Sequence, residues 1–359
     1  MGILLAAFLH LVPVPVQATV QALPMESSPS EAAAYLGLDQ AEEIVLPVGS
    51  SVDVILHGFA RIDYGAGDRF GDEAGEDQLG VSKMALVTEA RYQDLSFVGV
   101  IGATILADQP VDTELKDIFL AVRNLGGTRA SLRLGAEPLL FGLKPAGYPG
   151  DRSLVPSIEF GGAGAFPVSN QAGTCLVLDV PVADVGTFSA GLFDTSQTTS
   201  GAPGSVDGSR LYGNYFAQMR FEDLGGVAGL YGVAGYEGRY VGQTSAGARV
   251  DETESVLDVG AGYRTERFDV SLEYIMLDER ITETADAESY TIAELTVFAG
   301  PWSFLVDYAS ASELGADTLR VGAVKSLNAH VSLQLEVAED SIEGAEDVSS
   351  FHARLSFTY

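Results

Sequence analysis

Charged side chains recur in this chain inside stretches that are otherwise apolar, and most of them have an apolar residue on each side. In the first half of the chain they are arginines, namely Arg61, Arg91, Arg123, Arg129 and Arg133. In the second half they are carboxylates, namely Asp258, Asp269, Glu273 and Asp307. Groups spread in this way attract and repel charged solutes rather than make bonds. We therefore expect them to line one polar surface, with the arginines facing the carboxylates.

Histidine offers the main route to other chemistry. Beyond the first 22 residues the chain has His57, His330 and His352, all predicted on polar strand faces. Pairing of the last strand with the first would bring them near one another, which leaves a metal or catalytic site as an alternative. No carboxylate lies at a spacing that would complete a ligand set or a catalytic group. We expect no enzyme activity, no metal and no cofactor.

The charge balance restricts the partners. The chain has 50 Asp and Glu residues against 20 Lys and Arg, for a formal net charge of −30. Nucleic-acid binding needs clustered basic residues to neutralise phosphates, so we exclude nucleic acid as a partner. The single Cys175 excludes an internal disulfide framework.

Alternation of polarity is the dominant pattern from residue 52 onward. Residues 52–64 place Val, Leu, Ala, Ile and Tyr on one face and Asp, His and Arg on the other, and this period of two predicts a strand. The same reading predicts sixteen strands, at 52–64, 81–92, 95–106, 115–124, 128–137, 172–180, 186–194, 209–222, 225–238, 254–265, 267–278, 289–299, 301–311, 318–326, 328–338 and 348–359.

The connections alternate between short and long. Short links such as QD, LGG, EDLGG, TER and GP alternate with longer ones near 65–80, 107–114, 138–171, 195–208, 239–253, 279–288, 312–317 and 339–347. Antiparallel hairpins with tight turns at one end and long loops at the other are typical of outer-membrane barrels. Aromatic residues near the strand ends fit interfacial belts. A soluble double sheet is the alternative, but it would bury its apolar face. We predict an all-β transmembrane antiparallel barrel of about sixteen strands.

The chain divides into three regions. Residues 1–22 contain an apolar run too short to span a bilayer and small residues suited to cleavage, so we expect a signal peptide and export to the bacterial outer membrane. Residues 23–51 are expected to form a periplasmic segment with a short helix, whose role as plug, anchor or leader stays open. Residues 52–359 form the predicted barrel. Its last strand ends on Phe357 and Tyr359, which resemble the terminal signal by which outer-membrane barrels are recognised for assembly.

The third long loop, 138–171, is apolar, rich in Gly and Pro, and low in charge. Long loops inside compact domains are functional or disordered. We expect this one to fold into the barrel lumen and narrow it, with Lys144, Asp151, Arg152 and Glu159 near the transport path. The alternative is a surface or subunit-contact loop.

One stretch carries a family resemblance. The segments DIFLAVRN and ASLRLGAEPLLFGLKPAGYPGDRSLVPSIEF resemble porins of the phosphate-selective O/P type over residues 115–160. The resemblance implies a trimeric sixteen-strand porin with an inward third loop, and anion transport in some members. Ala136-Glu137-Pro138 stands where that family commonly has a lysine before its proline, and the long loops are acidic. Both departures argue against phosphate selectivity.

The predicted function is therefore an outer-membrane porin. A sixteen-strand barrel is wide enough for a water-filled channel, through which small hydrophilic solutes and ions would diffuse. Outer-membrane lipid and other copies in a homotrimer are the expected partners. The alternatives are a structural outer-membrane anchor or adhesin with acidic loops, and an anion (phosphate)-selective porin.

Overall fold

The structure is a computed structural model. It describes residues 44–67, 78–104, 112–138, 141–143, 172–183, 185–193, 214–245, 248–278, 288–312, 315–344 and 347–358. Nearly all of them are in strands: β1 (Ile44–Val48), β2 (Val52–Gly67), β3 (Gln78–Tyr92), β4 (Leu95–Thr104), β5 (Asp112–Val122), β6 (Ser131–Pro138), β7 (Ala172–Val182), β8 (Gly186–Phe193), β9 (Asn214–Phe221), β10 (Leu230–Ser245), β11 (Ala248–Arg264), β12 (Phe268–Asp278), β13 (Glu288–Ala299), β14 (Trp302–Ala311), β15 (Ala316–Asn328), β16 (Val331–Ile342) and β17 (Val348–Thr358). Within this described part, no helix is long and apolar enough to cross a membrane.

Strands β2 to β17 form a closed antiparallel barrel of sixteen strands. Each pairs with the next along the chain, and β17 pairs with β2 from Ser350 opposite Gly67 to Thr358 opposite Phe59. Closure satisfies the backbone groups that a sheet edge would leave unpaired. The predicted fold class is confirmed, and the predicted strands agree with the observed ones to within a few residues at most ends.

The faces of each strand alternate as the sequence predicts. On β12 the outward residues Val270, Leu272, Tyr274 and Met276 are 37–57% exposed, whereas the inward Asp269, Ser271, Glu273 and Ile275 are at most 6% exposed. An apolar exterior around a polar interior is the arrangement of a barrel in hydrocarbon and the reverse of a soluble sandwich.

Aromatic side chains mark both ends of the outward surface. Near the short turns, Trp302 stacks on Phe304 with ring centroids 6.1 Å apart, and the Lys325 ammonium lies 5.0 Å from the Trp302 ring. Near the other rim, Tyr64 packs edge-on against Phe351 at 6.3 Å. Aromatic and basic side chains at two levels match the interfacial belts of membrane barrels.

Two turns at the short-turn rim share one sequence and one backbone. Asn124 and Asp223 both adopt the left-handed conformation, and each is followed by Leu-Gly-Gly in a short 3-10 turn. Asn and Asp tolerate positive φ better than other non-glycine residues. The predicted tight LGG and EDLGG links are therefore longer than expected, since residues 123–130 and 222–229 separate their strands.

The opposite rim differs from the prediction at one hairpin. Residues 239–253 were expected to be a long loop, but β10 continues to Ser245 and β11 begins at Ala248, with paired residues throughout. Pairing of β9 with β10 is described up to Gly238, and pairing of β12 with β11 up to Ser255, so the tip of this hairpin extends past the described residues of its neighbours. Small and polar residues such as Gly242, Ser245 and Gly247 made this stretch resemble a loop and hid the β-branched residues that favour strands.

Strand β1 completes the edge of β2. Its Ile44 pairs with Leu56 and its Val48 pairs with Val52, on positions of β2 that β17 leaves unpaired. It lies in the region expected to hold only a periplasmic segment with a short helix, so this strand was not predicted.

Candidate functional site

The inner face of the barrel carries the charged side chains, and their sign differs between its two halves. Among the inward residues whose side chains the structure describes, strand β17 with β2 to β8 is balanced, with five guanidinium groups and five carboxylates: Arg61, Arg91, Arg123, Arg133, Arg354, Asp53, Asp63, Glu89, Asp117 and Asp179. Strands β9 to β16 are acidic, with three guanidinium groups and eight carboxylates: Arg220, Arg264, Arg320, Glu237, Asp258, Asp269, Glu273, Glu294, Asp307, Glu336 and Asp340. The described lumen is therefore acidic overall, and the excess lies on one side.

A buried carboxylate organises the arginines near the short-turn rim. Glu89 is fully buried and its Oε1 accepts hydrogen bonds from Arg91 Nε at 3.0 Å, Arg123 Nη2 at 3.2 Å and Ser96 Oγ at 2.7 Å. One carboxylate thus holds two guanidinium groups against the wall, one from β3 and one from the residue that follows β5. Charge-assisted hydrogen bonds of this kind are stronger than neutral ones and fix side-chain positions.

Ion pairs also join neighbouring strands elsewhere on the wall. Arg133 Nη2 lies 3.2 Å from Asp179 Oδ2, and Arg320 Nη2 lies 3.0 Å from Asp307 Oδ2. Arg264 reaches Asp269 with Nε at 3.0 Å and Nη2 at 2.8 Å. Several inward arginines therefore lie beside a carboxylate of the adjacent strand, and the wall charge alternates in sign over short distances.

One predicted wall residue lies elsewhere. Arg129 is exposed in the turn before β6, because β6 begins at Ser131 rather than near residue 128. The expectation that Arg129 lines the lumen is wrong.

The histidines do not come together. His57 and His352 are buried on inward faces, whereas His330 is exposed in the turn between β15 and β16, with Nδ1 3.0 Å from the Thr358 carbonyl oxygen. The expectation that all three face the lumen is therefore wrong for His330, since the strand ends at Asn328. Among the described residues, no cluster of three or more His, Cys, Asp or Glu side chains could hold a metal ion.

A short segment after β6 crosses the lumen and binds the acidic half of the wall. The backbone N–H of Leu143 donates to Glu273 Oε1 at 2.6 Å, and the N–H of Gly142 donates to Gln218 Oε1 at 3.3 Å. Arg220 Nη2 donates to the Gly142 carbonyl oxygen at 3.1 Å. Three polar side chains from β9 and β12 thus satisfy backbone groups that no strand pairing serves.

Glycines on the wall make room for the apolar side chains of this segment. Phe141 packs edge-on against Phe216 at 6.2 Å, and a Cβ at Gly235 would lie 2.8 Å from the Phe141 ring. A Cβ at Gly260 would lie 3.1 Å from Leu143. Phe141 and Leu143 are 3% and 8% exposed, so their side chains pack against the inner wall of the barrel.

Some of the remaining predicted residues lie on the barrel wall, and the others lie outside the described part of the chain. Arg61, Asp258, Asp269, Glu273 and Asp307 all lie on inward faces, and Phe357 faces outward at 37% exposure. Lys144, Asp151, Arg152, Glu159, Tyr359 and the whole of 1–43 lie outside the described residues.

Some inward charges were missed. Glu237, Glu294, Asp340 and Asp179 lie on inward faces but were not singled out from the sequence. The same period of two would have found each of them, because each has an outward neighbour at the next position in its strand.

Comparison with protein-family profiles and with curated protein sequences yields no match. Solved structures do resemble the barrel. OmpF of Salmonella typhi, solved with daunomycin, aligns with a TM-score of 0.64 at 15% identity over 87% of this chain and 99% of that chain. The outer membrane channel DcaP of Acinetobacter baumannii gives 0.62 at 10% identity over 88% and 99%. An anion-selective porin from Comamonas acidovorans gives 0.60 at 13% identity over 86% and 100%. At such identities the likeness establishes the fold.

Proposed function

We propose that this protein is a porin of the bacterial outer membrane, through which small hydrophilic solutes and ions diffuse passively. The observation that carries the proposal is the reversal of polarity in a closed sixteen-strand barrel: apolar side chains outside, and at least twenty-one charged side chains inside. Charges facing a dry interior would be prohibitively costly, so a hydrated lumen is the arrangement that accommodates them. The likeness to porins and channels of known structure supports it.

We also propose that the channel prefers cations. The described lumen has thirteen carboxylates against eight guanidinium groups, and the excess of carboxylates lies on β9 to β16. Charges in the narrow part of a pore act at short range because salt screens them beyond about 8–10 Å. This departs from the phosphate-selective type that residues 115–160 resemble, and from the anion-selective neighbour. The alternative is a channel of the phosphate-selective type, which a measured preference for anions would support.

The segment Phe141–Leu143 supports a constriction. It lies early in the third long connection, and its hydrogen bonds with Glu273 and Gln218 hold this part of the connection against the inner wall. We propose that Lys144, Asp151, Arg152 and Glu159, which follow, line the narrow zone. Removing residues 145–165 is then expected to raise the single-channel conductance, and an unchanged conductance would contradict this placement.

Export, domain organisation and assembly complete the proposal. Residues 1–22 would be removed as a signal peptide, which N-terminal sequencing of the protein from outer membranes tests. Residues 23–51 would form an N-terminal segment that meets the barrel at its periplasmic rim. The resemblance over 115–160 adds a homotrimer, which chemical cross-linking of the protein in membranes tests by its three-chain product.

Reconstitution into a planar lipid bilayer tests the function. A porin produces discrete conductance steps and lets sugars enter liposomes at rates that fall with sugar size. Protein that inserts as a folded barrel without conductance steps or sugar uptake would contradict the proposal. That result would favour the structural anchor or adhesin with acidic loops.

A further inference from the structure

The inner faces of β2 to β5 carry a continuous apolar area with charged side chains at its borders. We call it the apolar wall, and it consists of Phe59, Ala85, Val87, Val98, Val100, Phe119 and Ala121. Cross-strand pairs connect it, including Phe59 with Ala85, Val87 with Val100, and Val98 with Phe119. These side chains occupy adjacent positions on four neighbouring strands.

The apolar wall is covered. Its residues are 0–8% exposed, and Val87, Val98 and Val100 are fully buried. Strands of one sheet place side chains beside one another and not on top of one another, so the cover over this wall comes from another part of the chain. Apolar side chains left open to a wet lumen would forfeit the free energy of this burial.

The chain arrives at the barrel beside this wall. Strand β1 begins at Ile44, which pairs with Leu56, and the next residue of β2 is the fully buried His57. Strand β17 pairs with β2 from Phe59 onward. The chain that precedes Ile44 therefore cannot continue along β2 and has to leave the sheet at the level where the apolar wall begins.

The sequence before Ile44 suits the lumen better than lipid. Residues 23–43 hold the apolar run from Ala32 to Leu38, five carboxylates and no basic residue. Charges at this density exclude the hydrocarbon side. Ser28-Pro29-Ser30-Glu31 has the serine, first-position proline and third-position glutamate that begin a helix. A helix from there to residue 43 would be about 22 Å long, comparable with the roughly 25 Å apolar band of a barrel.

We propose that residues 23–43 enter the barrel from the short-turn rim and pack as a helix on the apolar wall. The segment Phe141–Leu143 is bound to β9 to β12, so the two elements would occupy different parts of the inner circumference. The N-terminal segment is then a plug that narrows the channel, and this role goes beyond that of the barrel itself.

Disulfide trapping tests the position of the segment. In a Cys175→Ser background, Ala34→Cys is combined with Val87→Cys, Val98→Cys or Phe119→Cys on the apolar wall, and with Leu120→Cys as the matched control. Leu120 is next to Phe119 but faces outward at 38% exposure. Mild oxidation of the folded protein in membranes is expected to join the cysteine introduced at position 34 to at least one inner position and not to the control, read by mass spectrometry of the peptides.

Three outcomes would overturn the proposal. One is a folded protein in which none of the inner pairs forms. Another is a cross-link from Ser153→Cys to Val98→Cys in place of the one from position 34, which would assign the cover to the third long loop. The last is a cross-link between the position-34 cysteines of two chains, which would place the segment in a contact between copies.

Conductance gives a second readout. Replacing residues 25–43 by a Gly/Ser segment of equal length is expected to raise single-channel conductance at least twofold, because the substitute lacks the apolar residues that bind the wall. Conductance equal to that of the parent would contradict the plug. Absence of conductance in both proteins would instead contradict the porin proposal. The disulfide-trapping result would then test the position of the segment by itself.

Discussion

The backbone N–H of Leu143 lies 2.6 Å from Oε1 of Glu273, so a residue that closely follows β6 is bound to β12 across the barrel lumen. This hydrogen bond and those of Gln218 and Arg220 to Gly142 hold the start of the third long connection inside. The rest of that connection has to begin from a fixed point on the acidic wall.

Removal of the Glu273 carboxylate should release this segment. Hydrogen bonds to charged groups contribute about 1.5–3 kcal/mol each, so Glu273→Ala is expected to loosen the segment and add closing events and noise to the open-channel current. Single-channel recording measures this. Glu294→Ala is the matched control, since Glu294 is an inward carboxylate that accepts from Ser271 instead. Equal noise in both variants would contradict a tether at Glu273.

A side chain at position 235 should displace Phe141. In Gly235→Val the new Cβ would lie 2.8 Å from the Phe141 ring, closer than real Cβ contacts come, and the ring would have to leave its seat. The expected result is a changed conductance that Phe141→Ala, combined with Gly235→Val, partly restores. Gly99→Val serves as the control because a Cβ there meets no atom within 4 Å. A fully parental conductance in Gly235→Val would show that the ring does not sit there.

The ion pair at the closing seam should contribute to barrel stability. Arg354 Nε and Nη2 lie 2.6 and 3.2 Å from the two oxygens of Asp63, joining β17 to β2. Removing one partner of a largely buried ion pair lowers the free energy of unfolding by about 3 kcal/mol, because the other charge stays buried without compensation. Asp63→Ala should therefore lower the temperature at which the barrel unfolds in detergent. The exchange Asp63→Arg with Arg354→Asp should recover part of the loss. An unfolding temperature unchanged by Asp63→Ala would contradict this role.

The terminal aromatic residues should act on assembly. Phe357 faces outward on β17, and deletion of Tyr359 is expected to reduce the amount of folded barrel in the outer membrane. The conductance of the folded fraction should stay unchanged, because neither residue is assigned to the lumen. Heat-modifiable migration on gels measures the folded fraction, and a parental yield of folded barrel would argue against an assembly signal.

Alternation of polarity predicted the barrel well because the two faces of every strand have different solvents. Residues 52–64 and 267–278 show it over their whole lengths, and both are strands. The method failed where composition misled it. Small and polar residues made 239–253 resemble a loop, and a strand start placed near 128 instead of Ser131 put Arg129 on the wall.

The details of the site depend on register, which one strand's pattern does not specify. Glu89 accepts hydrogen bonds from both Arg91 and Arg123 because β3 pairs with β4 and β4 pairs with β5. Phe141 packs where it does because Gly235 and Phe216 lie close together on the paired strands β10 and β9. Such relationships join residues far apart in the chain, so the sequence predicts the residue types of the lining but not their partners.

The zero-current potential across a bilayer in a salt gradient tests the central claim most directly. With channels open and more potassium chloride on one side, a lumen with an excess of carboxylates predicts that the dilute side becomes positive. Neutralising Glu237, Asp258 and Glu336 together to Gln, Asn and Gln should reduce that potential, whereas Asp317→Asn, at an outward position, should not. A dilute side that becomes negative, or channels that never open, would contradict the account.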